Sequence, residues 1–150
     1  MQLIAQEIMP PALPWNGISL ELIVDKTDPL ATPFEKSESL ESPPYAETMA
    51  WLEKLASESA YLTMTNAGIS EQGRVIHLVI ASLDQDFSAS ELFTSKKPLI
   101  LIQAGIHAGE IDGKDAGMML LRDIALGDKK ELLTKANILF IPILNVDGHE

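Results

Sequence analysis

The sequence contains no cysteine. That excludes disulfides, thiolate nucleophiles and cysteine-ligated metals, although it leaves the compartment open. Positive charge is scarce: 11 Lys and Arg stand against 22 Asp and Glu, for a net charge of −11. Residues 1–60 carry 3 basic and 10 acidic residues, and residues 61–150 carry 8 and 12. Neither part offers a basic footprint, so nucleic acid is not an expected partner, and no polybasic cluster suggests a membrane anchor. Long hydrophobic runs are also missing. The longest, such as Leu99–Ala104, are far too short to span a bilayer, so no membrane insertion is expected. The first residues, MQLIAQEIMPPALPW, have no basic n-region and include Glu7, which is not the pattern of an intact signal peptide. The expectation is a periplasmic or secreted protein if a signal peptide was removed, and a cytoplasmic one otherwise.

What remains is a chain of 150 residues with 46% apolar content, enough for one globular domain with a sizeable core. Residues 1–42 read as an irregular lead-in. Seven of the nine prolines lie in residues 1–44, with one strand-like run at Ile18–Asp25. A helix is expected from Pro43 or Pro44 to about Ser59, capped by Ser42, because Tyr45, Met49, Leu52, Leu55 and Ala56 recur at helical spacing. A hairpin follows, YLTMTNAG and VIHLVIAS around the turn ISEQGR. The segment Leu83–Lys97 is polar and reads as a loop.

The last third is a strand–helix–strand unit. KPLILIQA (Lys96–Ala104) reads as a buried central strand. DGKDAGMMLLRDIALG reads as a helix with Met118, Leu121, Ile124 and Ala125 on its apolar stripe and Gly127 as C-cap. ANILFIPILN (Ala136–Asn145) reads as a second buried strand. Such units are parallel and right-handed, so both strands end on one edge of the sheet. The loop holding His107 and Glu110 then lies beside the turn Asn145–Gly148, where open α/β sheets bind ligands.

That loop, GIHAGEIDGKD, admits three readings. A phosphate loop fails on spacing, since Gly109 to Gly113-Lys114 is one residue short, Asp115 replaces the hydroxyl residue, and Glu110, Asp112 and Asp115 repel phosphate. An ordinary glycine turn with a solvated His107 is the plain alternative, because a bare His-x-x-Glu pair arises by chance in roughly a quarter of chains with this composition. A metal site is the third. Imidazole nitrogen and carboxylate oxygen suit zinc, and Ala108 and Gly109 are small enough to let the pair converge. Of the other two histidines, His77 lies in a strand and is expected to be a packed or edge residue, and His149 is expected to be solvated near the chain end. Asp112 is a helix-cap candidate, Asp147 a turn-shaping residue and Arg74 a surface or structural one.

Ordered motifs decide among these readings. The helix YAETMAWLEKLASES, the hairpin with Gly68, Ser70, Gly73 and Arg74, the turn with Gly105, His107 and Glu110, and the turn with Asn145, Asp147 and Gly148 together resemble the zinc carboxypeptidase family, in particular a bacterial branch of it. Val146 stands where the family has proline, and Gly109 where digestive members have arginine. The resemblance runs from about Pro43 to Glu150. It implies an α/β fold with a mixed, largely parallel sheet flanked by helices, of which residues 43–150 are the N-terminal part of a catalytic domain continuing further. It implies a Zn²⁺ cofactor held by His107 and Glu110, and a metallocarboxypeptidase that removes C-terminal residues from peptides with a zinc-activated water. The family's second histidine ligand, general base and carboxylate-binding arginines lie beyond Glu150, so no catalytic residue is assigned within the chain. Two rivals are kept: a zinc-dependent N-acyl amino acid deacylase of the same fold, acting on an acylated amino acid, and a non-catalytic fragment or pseudoenzyme serving as a binding module.

Overall fold

The computed structural model describes residues 16–150. The run Ile18–Asp25, expected as a strand, is a 3-10 helix over Ile18–Leu22 with no buried residue. Among the described residues no strand pairs with it. Downstream in the lead-in, α1 (Pro33–Lys36) is held by a capping box in which Thr32 and Glu35 satisfy each other's backbone amides. Thr32 and Glu35 are buried, so this part of the lead-in is packed on the domain.

Helix α2 (Tyr45–Glu58) runs where the periodicity predicts it and buries Met49, Trp51, Leu52 and Leu55. Its N-cap is Pro44, with no side-chain cap hydrogen bond. Ser42 therefore does not cap it; its hydroxyl is buried without a partner. Strands β1 (Leu62–Ile69) and β2 (Val75–Ala81) form the expected antiparallel hairpin, with a register shift between Asn66 and Gly68. The segment read as a loop after β2 contains a short helix, α3 (Ala89–Thr94), with a second capping box from Ser88 and Glu91. Both boxes are visible as Ser/Thr-x-x-Glu in the sequence.

Strand β3 (Leu99–Gln103), helix α4 (Asp112–Ala125) and strand β4 (Asn137–Ile141) form the parallel crossover unit. A 3-10 helix, Asp128–Thr134, links α4 to β4, and a short helix α5 (Val146–His149) follows. Sheet order is β1-β2-β4-β3. The sheet is mixed: β3–β4 is parallel, while β1–β2 and β2–β4 are antiparallel.

The expectation for β3 needs correction. It is an edge strand among the described residues, and Leu99, Ile100 and Leu101 are 47%, 47% and 54% exposed. The buried central strand of the unit is β4, whose Ile138 and Phe140 are 6% and 1% exposed. A strand apolar on both faces has the composition of a covered strand, but no described element covers β3's outer edge. The core lies between the sheet and α2 and α4, where Leu52, Leu55, Val79, Met118, Leu121, Ile124 and Phe140 pack together. Helix α4 comes close to β4 at Gly117, where a Cβ would overlap the Phe140 ring.

Candidate metal centre

β3 ends at Gln103, and the chain then turns through residues 104–111 into α4. Gly105 makes the turn possible. Its φ is +59°, and a Cβ there would stand 3.2 Å from Ile143 Cα, so a side chain meets both strain and crowding. The amides of Leu144 and Asn145 donate to the carbonyls of Ala104 and Gly105, each at 2.9 Å. The loop after β3 and the turn after β4 are thus bonded side by side, as the parallel topology predicted.

The loop brings His107 and Glu110 together. His107 Nδ1 lies 2.9 Å from Glu110 Oε2, and the Glu110 amide donates to the His107 carbonyl at 3.0 Å. Both side chains are solvent-facing, 76% and 70% exposed, which leaves their remaining lone pairs available. Gly109 has open space where a Cβ would stand, so no crowding forces a glycine there. The pair fits a zinc ion on three counts: one nitrogen and one oxygen donor, mutual convergence, and access from solvent. Among the described residues, however, no group of three His, Cys, Asp or Glu side chains is assembled to hold a metal. A cavity of about 390 Å³ is lined by Leu20, Ile23, Val24 and Glu35, and an apolar one of about 220 Å³ by Ser19, Leu22, Met119 and Leu120. Neither touches His107 or Glu110.

The other candidates behave as structural residues. Asp112 is the first residue of α4, whose N-cap is Ile111 with no side-chain cap bond, so it lines the first turn without capping it. Asp147 does shape its surroundings. It accepts from Ser70 Oγ at 2.8 Å, Gln72 N at 3.1 Å and Arg74 Nη1 at 2.8 Å, fastening the hairpin turn to α5. Desolvation raises its pKa, but these donors outweigh that and hold the carboxyl below its usual range. Asn145 caps α5 by accepting from Gly148 N at 3.0 Å. His77 is partly buried near the Tyr45 ring, 6.1 Å between centroids, and burial lowers its pKa.

His149 is the exception. Expected to be solvated, it has a side chain only 8% exposed, with Nε2 3.3 Å from Lys114 Nζ. Lys114 itself is 1% exposed and donates to the Pro43 carbonyl. Asp115 is 4% exposed. Burial lowers the pKa of Lys114 and His149 and raises that of Asp115. Ser42 lies near enough to Asp115 to oppose its shift, yet Ser42 Oγ and Asp115 Oδ1 fall outside hydrogen-bond geometry and are unpartnered, as is His149 Nδ1. The sequence reading missed this cluster. A signal was present, since Lys114 and Asp115 sit four and three residues before Met118 and so extend the apolar stripe of α4.

The zinc carboxypeptidase family profile matches residues 48–150. Carboxypeptidase 2 of Trichophyton equinum is 32% identical over 126 residues, 81% of this chain and 23% of that protein. The inactive metallocarboxypeptidase ecm14 of Schizosaccharomyces pombe is 32% identical over 141 residues, 90% of this chain and 27% of that protein. The fold is similar to carboxypeptidase A from Helicoverpa armigera, with TM-score 0.59 and 20% identity over 73% of this chain and 26% of that one. It is also similar to a metallo-carboxypeptidase from Burkholderia cenocepacia, with TM-score 0.56 and 21% identity over 71% of this chain and 28% of that one. The chain spans about a quarter of the length of the curated relatives it matches. These curated relatives are fungal, and they give no support to the bacterial branch expected from the sequence.

Proposed function

Because the chain belongs to the zinc carboxypeptidase family, we propose that it carries the first two ligands of a catalytic zinc site, His107 and Glu110, in a peptidase that removes C-terminal residues. One observation carries this reading: the two donors meet 2.9 Å apart at the carboxyl end of a parallel strand pair, the place where open α/β sheets act on ligands. When bound, zinc supplies Lewis acidity, polarising a carbonyl and acidifying water.

The chain's own residues would do the holding. His107 offers its imidazole and Glu110 its carboxylate, both from a loop anchored at Gly105 and at the start of α4. The Asn145–Gly148 turn supports that loop through the Asn145 amide, and Asp147 ties the same turn to the hairpin. Among the described residues this reading assigns no third ligand and no general base.

The test uses the full-length chain. Zinc content after dialysis, and release of the last residue from a peptide with a free or an amidated C-terminus, are measured for wild type, His107→Ala and Glu110→Ala. One equivalent of zinc, its loss in both variants, and hydrolysis confined to the free carboxylate are expected. Zinc retained by His107→Ala would sink the ligand assignment, and equal cleavage of both peptides would sink exopeptidase action. A second reading, a non-catalytic binding module, is favoured by the relative named as inactive; zinc binding without hydrolysis of either peptide would select it.

A further inference from the structure

We propose that Lys114 is a positioning residue for the His107–Glu110 pair, a step that rests on the metal-site reading above. The loop has two roots. The upstream root is fixed by Gly105 against Ile143 and by the Asn145 amide on the Gly105 carbonyl. The downstream root is the start of α4, and it lacks the usual fastening, since Ile111 gives no side-chain cap. Lys114 sits in that first turn, four residues after Glu110, and its arm runs inward.

The arm reaches two other elements. Its ammonium donates to the Pro43 carbonyl, just before α2, and faces His149 Nε2 at 3.3 Å on α5. In this proposal Lys114 has the donor's part in the contact, which requires a neutral His149 with its proton on Nδ1. That nitrogen lies 3.8 Å from Glu150 Oε1, which accepts from the Tyr45 amide at 3.1 Å. One amine therefore joins the α4 start, the α2 start and the element that follows the Asn145 turn. The acids around it are Asp115, Glu47 and Glu150.

This is a poor place for a cation chosen for stability alone. It is desolvated, it lies at the positive end of the helix dipole, and its neighbours Asp115 Oδ1, Ser42 Oγ and His149 Nδ1 have no hydrogen-bond partner. An apolar side chain would fill the same space at lower cost. What such a side chain lacks is the directed clamp on Pro43 and His149. The register of the loop's downstream root hangs on that clamp, and with it the distance between His107 and Glu110.

The experiment compares wild type, Lys114→Met, His149→Leu and His149→Gln in the full-length chain, with His107→Ala as control. Amide exchange is read without metal at Glu110, Lys114, Asp115 and Asn145, whose N–H groups bond at the loop roots, and in β2 and β4. Zinc affinity is read by competition with a chromophoric chelator. Lys114→Met is expected to speed exchange at the root amides about tenfold, with β2 and β4 unchanged, and to weaken zinc about ten- to a hundredfold. His149→Leu should follow it, and His149→Gln, which keeps an acceptor for the ammonium, should recover most of the protection. Unchanged root exchange, or an equal rise in β2 and β4, overturns the proposal. Equal zinc affinity in wild type and His107→Ala overturns the metal reading by itself, and the exchange data then still decide whether Lys114 positions the loop.

Discussion

The two ends of helix α4 bury one cation each and treat it in opposite ways. At the C-terminal end, Arg122 is 5% exposed and fully partnered. It donates to Glu35 Oε2 at 2.5 Å, to the Leu22 carbonyl at 3.2 Å, and to Asp123 Oδ1 at 3.1 and 3.2 Å. Glu35 in turn accepts from Thr32 N, Thr32 Oγ1 and Val24 N, and Asp123 accepts from Lys129 at 2.6 Å. The helix dipole favours a cation at this end. At the N-terminal end, Lys114 opposes the dipole among unpartnered atoms. The first arrangement locks the lead-in onto the domain; the second lies next to the candidate metal loop. A chain can satisfy a buried guanidinium completely, so the incomplete solution at Lys114 marks a place where geometry, rather than stability, constrains the residues.

The largest expected effect breaks the satisfied end. Glu35→Ala removes one of the two carboxylates on Arg122 and the acceptor of the Thr32 and Val24 amides, and a denaturant melt should show a loss of about 3 kcal/mol. A loss below about 1 kcal/mol would mean that Arg122 finds other partners and that the two ends are more alike than their contacts suggest. Next comes Gly105→Ala at the upstream root of the loop. The left-handed backbone and the nearness of Ile143 predict a loss of about 1–2 kcal/mol, read in the same melt.

Lys114→Met sharpens the contrast at the other end. The variant frees the Pro43 carbonyl of its donor but also removes a desolvated cation, and the two nearly cancel. Global stability should stay within about 1 kcal/mol of wild type. A loss comparable to that of Glu35→Ala would erase the distinction between the ends.

The smallest effect is a pH dependence. Burial and Lys114 hold the His149 pKa below its ordinary 6.5, and burial does the same for His77. As pH falls through 6.5 the unfolded chain takes up these protons first. The stability from keeping the rings neutral is therefore complete above 6.5 and declines as pH drops toward the folded values. Asp115 works with the opposite sign, because burial raises its pKa and the folded state takes up that proton first. Urea midpoints measured between pH 8 and pH 5.5 should fall for wild type and fall less for His149→Gln. Identical slopes would show that His149 does not titrate differently in the folded and unfolded chain.

Much of the frame around the candidate site was legible beforehand. α2 and α4 follow from apolar residues at helical spacing, and Met118, Leu121, Ile124 and Ala125 are buried as that spacing requires. The hairpin follows from two strand-like runs around a Gly-containing turn. The neighbouring loops at His107 and Asn145 follow from the parallel pairing of a strand–helix–strand unit, which ends both strands on one edge. Each of these rests on local periodicity or chain geometry, which any short window of sequence carries.

Other features were decided only by tertiary structure. Ile18–Asp25 alternates like a strand but pairs with no described strand, and Ile18–Leu22 is a 3-10 helix. β3 has the composition of a covered strand, and among the described residues it lies at one edge of the sheet, because composition does not record which strand pairs with which. His149 is buried because Lys114 and Glu150 meet it from elements far apart in sequence, and Arg122 is buried because Glu35, 87 residues away, comes to it. A sequence window records which side chains are apolar; whether a charged one is buried depends on long-range partners that cancel its desolvation, and those exist only in the folded chain.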